Sequence, residues 1–141
     1  GGGNARIRDT QGVLVGEVIF ALSTNHFIVR KQGVSFLIEF SSSRLGRFDV
    51  YYDQSNCAGN AYFNSAPTWW TALPTLHNGE LIKGGFTRQS ITYRSYRDTN
   101  QTCRNAGPST LSGLPTTVVT SAERVAELAI PAGPWVIEVG N

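Results

Sequence analysis

The sequence predicts an all-β fold: a single antiparallel β-sandwich or partly closed barrel of eight to ten strands, with one disulfide. Short runs of β-branched and aromatic residues recur along the 141 residues, and Gly, Asn, Asp and Pro separate them, which is typical of strands joined by turns. Only residues 122–128 have a helix-like composition, and a strand is the alternative there. A chain of this length fits one domain, so we expect one unit over residues 1–141, with residues 1–4 as a flexible extension.

Two hairpins are predicted in the first forty residues. Residues 4–9 alternate in polarity, and the turn-forming residues 9–12 lead into a nearly continuous apolar run at 13–22. Such a run is typical of a central strand covered on both faces, with Gly16 marking a bulge or a close approach. Residues 25–30 and 34–40 form the second predicted hairpin, around the turn at 31–33.

The remaining strands are predicted from shorter signals. Residues 48–52 and 57–63 form a pair joined by a polar turn, and the Asn78-Gly79 dipeptide favours a two-residue hairpin. Prolines bracket residues 68–71, so this piece is predicted to be an edge strand or a rigid loop. Residues 90–96 alternate as a strand, residues 97–112 are predicted to be a polar loop, and residues 115–120 and 135–139 are extended.

Charge and hydropathy exclude two classes of protein. Twelve basic and ten acidic residues give a net charge of +2, without the clustered basic excess of a nucleic-acid-binding protein, so no nucleic-acid partner is expected. Apolar runs end after about five residues, far below the roughly 18 needed for a membrane-spanning helix. No membrane span is therefore expected.

The two cysteines indicate the compartment. Cys57 and Cys103 form an even pair in a small Gly-rich chain, which favours one disulfide and an oxidising, extracellular environment. The alternative is two separate buried thiols. Secretion, either to a cell surface or as part of a virion, is the predicted localisation.

Several short motifs resemble one group of proteins. The motifs are residues 7–16, Tyr51-Tyr52 followed by Cys57 and Gly59, residues 95–98 running into Cys103, and residues 114–138. They are similar to small secreted bacterial β domains of unknown function, some of which lie downstream of collagen-like segments or in surface proteins. The resemblance implies a secreted β module with a Cys57–Cys103 bridge and no catalytic residues. Gly1-Gly2-Gly3 has no Gly-X-Y period.

No catalytic or metal-binding constellation is predicted. His26 and His77 are the only histidines, neither has a second histidine three to five residues away, and Cys57 and Cys103 are 46 positions apart, so no zinc site and no cofactor are expected. Two aspartates could pair for glycoside cleavage, with Asp49 among the candidates. Asp9, Asp53 and Asp98 lie among turn residues, however, and we predict that these three form turns.

Aromatic and arginine residues supply the candidate contact surface. Adjacent Trp69 and Trp70 point to opposite faces of an extended chain, so one of them is expected to be exposed. We predict that a rigid surface for a glycan or another partner combines tryptophan, tyrosine and arginine. Its candidate residues are Trp69, Trp70, Tyr51, Tyr62, Arg94, Arg97 and Arg104. We favour the other interpretation, in which both tryptophans are buried, one in the core and one against a neighbouring subunit.

The predicted function is a non-catalytic extracellular module with a structural or adhesive role, such as a surface-protein head, an appendage subunit or a virion fibre tip. The alternative is a carbohydrate-binding module, and a third reading is a small hydrolase with an Asp pair. Large apolar residues such as Phe36, Ile38 and Phe40 exceed what one small sandwich needs to bury, so self-association into a homo-oligomer or polymer is also predicted.

Overall fold

The structure is a computed structural model in which residues 5–64, 73–77 and 80–139 are described. It has two antiparallel sheets and one disulfide, so the predicted all-β class is confirmed. Twelve strands occur in the described residues rather than eight to ten, because β5 and other short strands contain only two or three residues. In chain order, the elements are β1 (Arg6–Asp9), β2 (Leu14–Ala21), β3 (His26–Lys31), β4 (Val34–Glu39), β5 (Arg44–Leu45), β6 (Val50–Tyr52), a 3-10 turn (Ser55–Cys57), β7 (Ala61–Asn64), β8 (Thr75–His77), β9 (Glu80–Gly84), β10 (Gln89–Arg97), β11 (Cys103–Val118), α1 (Ser121–Leu128) and β12 (Trp135–Glu138).

The chain divides into two compact units. Gly1–Gly46 and Val119–Asn141 form what we call the terminal unit, and Arg47–Val118 form the central unit. The prediction of one domain over residues 1–141 stays a prediction, and the predicted extension at residues 1–4 lies outside the described residues.

The terminal unit contains a six-stranded sheet in the order β12-β1-β2-β3-β4-β5. Both predicted hairpins, β1–β2 and β3–β4, are confirmed. In the first turn, Asp9 Oδ1 accepts hydrogen bonds from the backbone N–H groups of Gln11 (2.9 Å) and Val13 (2.7 Å). The second turn places Gln32 and Gly33 at positive φ, 52° and 77°. A two-residue turn with that backbone fits the right-handed twist of the paired strands.

Strand β2 differs from its prediction. It is central, because β1 and β3 pair with its two edges, and a Cβ on Gly16 would lie 2.7 Å from the Val29 Cβ, as expected of a close approach. It is not covered on both faces, however, since Phe20 is 53% exposed. Pairing on both edges satisfies the backbone, but it does not cover the side chains on either face.

Residues 121–128 form a helix, α1, rather than the alternative strand. Its N-terminus has a capping box, in which Thr120 Oγ1 accepts from the Glu123 N–H and the Glu123 carboxylate accepts from the Thr120 N–H. These bonds satisfy two backbone donors that a helix start leaves unpaired. Among the described residues, no helix is long and apolar enough to cross a membrane.

The central unit has the strand order β10-β6-β7-β11-β9-β8, and β10 also pairs with β11. This extra pairing closes β10, β6, β7 and β11 into a ring of hydrogen-bonded strands. The buried core cluster of this unit comprises Val50, Tyr52, Phe63, Ile82 and Leu114.

The predicted polar loop at 97–112 is wrong beyond residue 102, because Cys103–Val118 form one continuous sixteen-residue strand, β11. Gly107, Pro108 and Pro115 indicate a break when the sequence is read alone. The strand absorbs the first two in a register shift opposite Tyr93 and Ser95, where the Gly107–Pro108 peptide is cis. Its length allows β11 to pair in turn with β10, β7 and β9.

Candidate functional site

The Cys57–Cys103 disulfide is present, as predicted, and it joins the 3-10 turn to the first residue of β11. The two Cα atoms are 6.1 Å apart, which is within the usual range for a disulfide. In the sequence the two residues are 46 positions apart, so the bridge closes a long loop of the central unit.

Ser95 positions the turn that carries Cys57. This serine on β10 is fully buried, and its hydroxyl accepts a hydrogen bond from the Cys57 N–H (2.8 Å) while donating to the carbonyl oxygen of Gln54. Asn56 and Asn105 reinforce the same junction. The Asn56 N–H donates to Asn105 Oδ1 (2.7 Å), and Asn105 Nδ2 donates to Asn56 Oδ1 (3.0 Å). The disulfide therefore has hydrogen-bonded supports on two neighbouring strands.

All five tyrosines of the chain belong to β6, β7 and β10 of the central unit, and we call the four that are half-buried the tyrosine face: Tyr51, Tyr62, Tyr93 and Tyr96. In the antiparallel register, Tyr51 lies directly opposite Tyr62 on one side and Tyr96 on the other. The Tyr51 ring makes an edge contact with Tyr93 at a centroid distance of 4.9 Å and a tilted contact with Tyr96 at 5.7 Å. Both are favourable arrangements for aromatic pairs.

A charged rim adjoins the tyrosine face. Arg104 pairs across the strands with Tyr96, and its Nε lies 3.0 Å from Asp98 Oδ2. This pair, together with hydrogen bonds from the backbone of Thr102 and Asn100, lowers the pKa of Asp98 below its usual value. Asp49 behaves in the opposite way, because burial and the nearby charge of Asp98 raise its pKa. Burial and the charge of Asp49 in turn raise the pKa of Tyr51.

The three aspartates predicted to form turns do so. Asp9 caps the first hairpin as described above, and Asp53 accepts from the backbone N–H (3.0 Å) and the side-chain amide (3.1 Å) of Asn60. Asp98 Oδ1 accepts from the N–H groups of Asn100 (2.9 Å) and Thr102 (3.1 Å). Gly59 is required beside Asp53, because it has φ of +85° and a Cβ there would lie 2.1 Å from Asp53 Oδ1.

The opposite face of β6 and β10 carries a buried polar cluster formed by Tyr52, His77 and Arg97. The Tyr52 hydroxyl is hydrogen-bonded to His77 Nε2, and the Arg97 guanidinium acts to lower the pKa of Tyr52. Arg97 Nη1 also donates to the carbonyl oxygen of Gln101 (2.9 Å). Two buried atoms of the cluster, His77 Nδ1 and Arg97 Nε, have no hydrogen-bond partner in the described part of the chain.

Burial controls the protonation of this cluster. It lowers the pKa of His77, and the positive charge of Arg97 lowers it further. Burial also raises the pKa of Tyr52, against the opposing effect of the Arg97 guanidinium. At neutral pH the cluster therefore contains a neutral imidazole, a neutral phenol and one guanidinium cation.

A pocket of about 270 Å³ opens beside the cluster, within the central unit. Its floor includes Tyr52, His77 and Ile82, all of which are buried. Its mouth includes Glu80 and Thr117, which are exposed. The pocket therefore runs from solvent to the Tyr52–His77 hydrogen bond.

The residues predicted for the contact surface are only partly brought together. Tyr51 and Tyr62 are cross-strand neighbours, Arg104 lies opposite Tyr96, and Arg94 is exposed on β10. Arg97 is a correction, because strand alternation turns it away from Tyr51 and against Tyr52. Trp69 and Trp70 lie outside the described residues.

Sequence reasoning missed Tyr93, Tyr96, Tyr52 and His77 as members of sites. Tyr93 and Tyr96 are three residues apart, and strict alternation assigns them to opposite faces, but the register shift between Tyr93 and Ser95 allows both rings to contact Tyr51. No local pattern brings His77 to Tyr52, since the two are 25 positions apart and lie on non-neighbouring strands.

Within the described residues, no group of three or more His, Cys, Asp or Glu side chains is arranged to hold a metal ion. Comparison with protein-family models, with curated proteins and with solved structures finds no match to this sequence. The resemblance to small secreted bacterial β domains therefore stays a prediction.

Proposed function

We propose that this chain is a non-catalytic extracellular adhesive module that binds a carbohydrate through its tyrosine face. The single observation that carries this proposal is the contact of the Tyr51 ring with the rings of Tyr93 and Tyr96 on the paired strand, beside Arg104. Aromatic rings that are already fixed by their neighbours lose little conformational entropy when a ligand packs on them.

The chemistry of this face fits a sugar. Tyrosine presents an apolar ring, which packs on the C–H face of a pyranose, and a hydroxyl, which hydrogen-bonds to sugar oxygens. Arg104 adds N–H donors at the rim, and its side chain is 57% exposed in spite of its pairing with Asp98. Stacking and edge hydrogen bonding are thus available from one surface.

The disulfide supports the extracellular part of the proposal. Disulfides form and persist in oxidising compartments, and this one closes a long loop of a small unit. A covalent bond near the tyrosine face also suits a module whose contact surface must keep one conformation outside the cell.

A glycan array with the full chain tests the proposal. We expect the wild type to retain one class of glycan, and we expect Tyr96→Ala to weaken that binding by about 1–3 kcal/mol, or roughly five- to 150-fold, as for a central contact residue. Phe20→Ala is the matched control, because Phe20 is an exposed aromatic residue of the terminal unit. Thermal melts of both variants separate lost contact from lost folding.

Two results would contradict the proposal. If the wild-type chain binds no glycan at tens of micromolar, a carbohydrate is excluded as its ligand. Equal loss of binding in Tyr96→Ala and Phe20→Ala, with melting temperatures unchanged, would remove the tyrosine face as its contact surface.

Self-association is a second proposal, with a different surface. Phe36 and Ile38 are fully buried in this chain, so they leave no surplus for a neighbouring subunit. A homo-oligomer or polymer would instead use exposed apolar side chains of the terminal unit: Ile19, Val125, Leu128, Val136 and Ile137. Light scattering of the wild type and of Ile137→Ser tests this, and a monomer at all concentrations would refute it.

The Asp-pair hydrolase is not proposed. The Asp98 carboxylate accepts from Asn100, Thr102 and Arg104, as expected of a turn-forming aspartate that supports the local backbone. Turnover of polysaccharide substrates by the wild type would reverse this choice.

A further inference from the structure

The turn between β10 and β11 carries a sequence motif that the tyrosine face does not use. Its residues are Asn100, Gln101 and Thr102, which match the pattern Asn-X-Ser/Thr with X other than proline. This pattern marks asparagines that accept N-linked glycans in secreted proteins. Every other asparagine of the sequence lacks serine or threonine two positions later, so the chain has one candidate acceptor.

Backbone hydrogen bonds place Asn100 at the tip of this turn. The Gln101 N–H donates to the Asp98 carbonyl oxygen (2.8 Å), and the Asp98 N–H donates to the Thr102 carbonyl oxygen (3.1 Å). Gln101 has a φ of 67°, as expected of a three-residue hairpin loop in which a type I turn is followed by one residue in the left-handed region. Thr99, Asn100 and Gln101 therefore form the loop that connects the paired strands.

The Asp98 carboxylate maintains this turn without the side chains of Asn100 and Thr102. It accepts from the N–H groups of both residues, so these contacts belong to the backbone. Both residues are exposed, and in the described part of the chain the Asn100 amide and the Thr102 hydroxyl have no hydrogen-bond partner. A substituent on the Asn100 amide would therefore meet solvent and break no contact of the fold.

Other asparagines of the central unit use their side-chain amides to support the fold. Asn60 Nδ2 donates to Asp53 Oδ2 (3.1 Å), and Asn105 Nδ2 donates to Asn56 Oδ1 (3.0 Å). A sugar on either nitrogen would crowd an acceptor that the amide already contacts. The asparagine that has the motif is thus also one whose amide the described fold leaves free.

We propose that Asn100 is the acceptor of an N-linked glycan, attached to the turn next to the tyrosine face. The turn adjoins that face because Asp98 at its start contacts Arg104, the cross-strand neighbour of Tyr96. The proposal rests on the extracellular localisation proposed above, since N-linked glycans mark secreted proteins.

The attachment is a group transfer from a lipid diphosphate-linked oligosaccharide, performed by a membrane-bound oligosaccharyl transferase. The Asn100 amide nitrogen attacks the anomeric carbon of the first sugar. A carbon–nitrogen bond forms, and the bond from that carbon to the diphosphate oxygen breaks. The nitrogen loses one proton, and the lipid diphosphate leaves with the bonding electron pair.

Secretion of the full chain tests this proposal. The chain is produced with an added secretion signal in cells that perform N-linked glycosylation, and the disulfide-bonded product is collected. Its intact mass is measured before and after digestion with an amidase that releases N-linked glycans. We expect the wild type to carry the mass of one oligosaccharide, and we expect the amidase to remove that mass and convert Asn100 to aspartate, which peptide mass spectrometry locates.

Variants within the same turn separate the motif from the fold. Asn100→Gln removes the acceptor and Thr102→Ala removes the hydroxyl of the motif, so both should lose the added mass completely. Thr102→Ser keeps a hydroxyl and should stay modified. Thr99→Ala is the matched control, because Thr99 lies in the same turn just outside the motif, and it should be modified as the wild type is. After amidase treatment, all four variants should melt at the temperature of the wild type, since exposed side chains are replaced.

Three outcomes would overturn the proposal: a secreted, disulfide-bonded wild type without added mass, a modification that survives in Asn100→Gln or Thr102→Ala, or an equal loss in Thr99→Ala. Binding of the amidase-treated chain to a glycan array is measured separately. A modified chain that binds no glycan would contradict the proposed function alone, and an unmodified chain that binds a glycan would contradict this inference alone.

Discussion

Tyr51 and Tyr52 are adjacent residues of the same type, yet the two side chains have different roles. The Tyr51 ring is half-exposed and contacts two other tyrosines, whereas Tyr52 is 6% exposed and hydrogen-bonded to His77. Burial raises the pKa of both phenols, but the next contribution is the negative charge of Asp49 at Tyr51, which raises the pKa further, and the Arg97 guanidinium at Tyr52, which lowers it. Residue type therefore says little about a tyrosine until the face of its strand is known.

Side chains of β10 also alternate between two faces with different roles. Tyr96 faces the aromatic contacts, while Ser95 and Arg97 face the buried cluster and the turn that holds Cys57. One pair of strands thus builds a partly exposed aromatic surface on one side and a polar interior on the other. Four perturbations test whether these two faces differ in stability and in protonation.

The largest effect is expected from removal of the disulfide, which ties the turn after β6 to β11 and so supports both faces. Closing a loop with a separation of 46 residues stabilises the fold by about 4 kcal/mol in the chain-entropy model. Cys57→Ser combined with Cys103→Ser should therefore lower the free energy of unfolding by about that amount, measured by urea titration.

A second measurement checks that the disulfide of this first prediction is present. Titration of the denatured wild type without reductant should detect no free thiol, since the described chain contains no free cysteine. Two titratable thiols, or a double variant as stable as the wild type, would contradict it.

The next effect compares the two tyrosines directly. Tyr52→Phe removes a hydroxyl that is hydrogen-bonded to His77, and it should cost about 1–3 kcal/mol because the buried imidazole loses its partner. Tyr51→Phe should change stability by less than about 0.5 kcal/mol, since that hydroxyl is on the half-exposed face. Equal costs in urea unfolding would mean that the two faces do not differ as described.

The fold was largely predictable where local signals agree. The β3–β4 hairpin combines alternating apolar residues with a Gln32-Gly33 turn at positive φ, and both signals are visible in the sequence. The disulfide was predictable because a small Gly-rich chain with two cysteines offers one pairing. Strand β11 was not predictable, because its Gly and Pro residues indicate a break. Only its pairing with three other strands along its length keeps it extended.

The candidate sites were less predictable than the fold. Tyr51 and Tyr62 were both among the predicted contact residues, but the assignment of Tyr93 and Tyr96 to one cluster depends on a register shift that no local pattern indicates. The contact between Tyr52 and His77 depends on the order of five strands, from β6 through β7, β11 and β9 to β8. Non-local strand order has no signature in a single sequence.

A pH titration of stability tests the buried face. His77 has a lowered pKa in the folded chain, through burial and Arg97, while an unfolded histidine titrates near about 6.5. At a pH between the folded-state and unfolded-state pKa values of His77, the unfolded chain binds a proton that the folded chain does not. The contribution of His77 to stability is therefore present above this pH interval and is lost as the pH falls through it. The groups that face His77 are Tyr52, Arg97 and, across the strands, Glu80.

The slope assigned to His77 is at most about 1.4 kcal/mol per pH unit, the value for one proton. His77→Gln should remove this slope below neutral pH, and the same replacement at His26 should leave it in place. Urea midpoints between pH 7 and about pH 5 measure it. A wild-type chain that gains stability over this interval would have the opposite sign and would contradict a buried neutral His77.

The smallest effect concerns the tyrosine face. Tyr51 and Tyr96 are directly opposite in the antiparallel register, and such cross-strand pairs contribute about 0.2–1 kcal/mol. A double-mutant cycle with Tyr51→Leu and Tyr96→Leu should yield a coupling energy of that size and sign. The matched cycle with Tyr62→Leu and Tyr96→Leu should yield less, because Tyr62 and Tyr96 flank Tyr51 on different strands rather than pairing with each other. Equal coupling energies in the two cycles would show that general burial, and not the paired rings, stabilises this face. The fixed aromatic surface that ligand binding needs would then lack its structural basis.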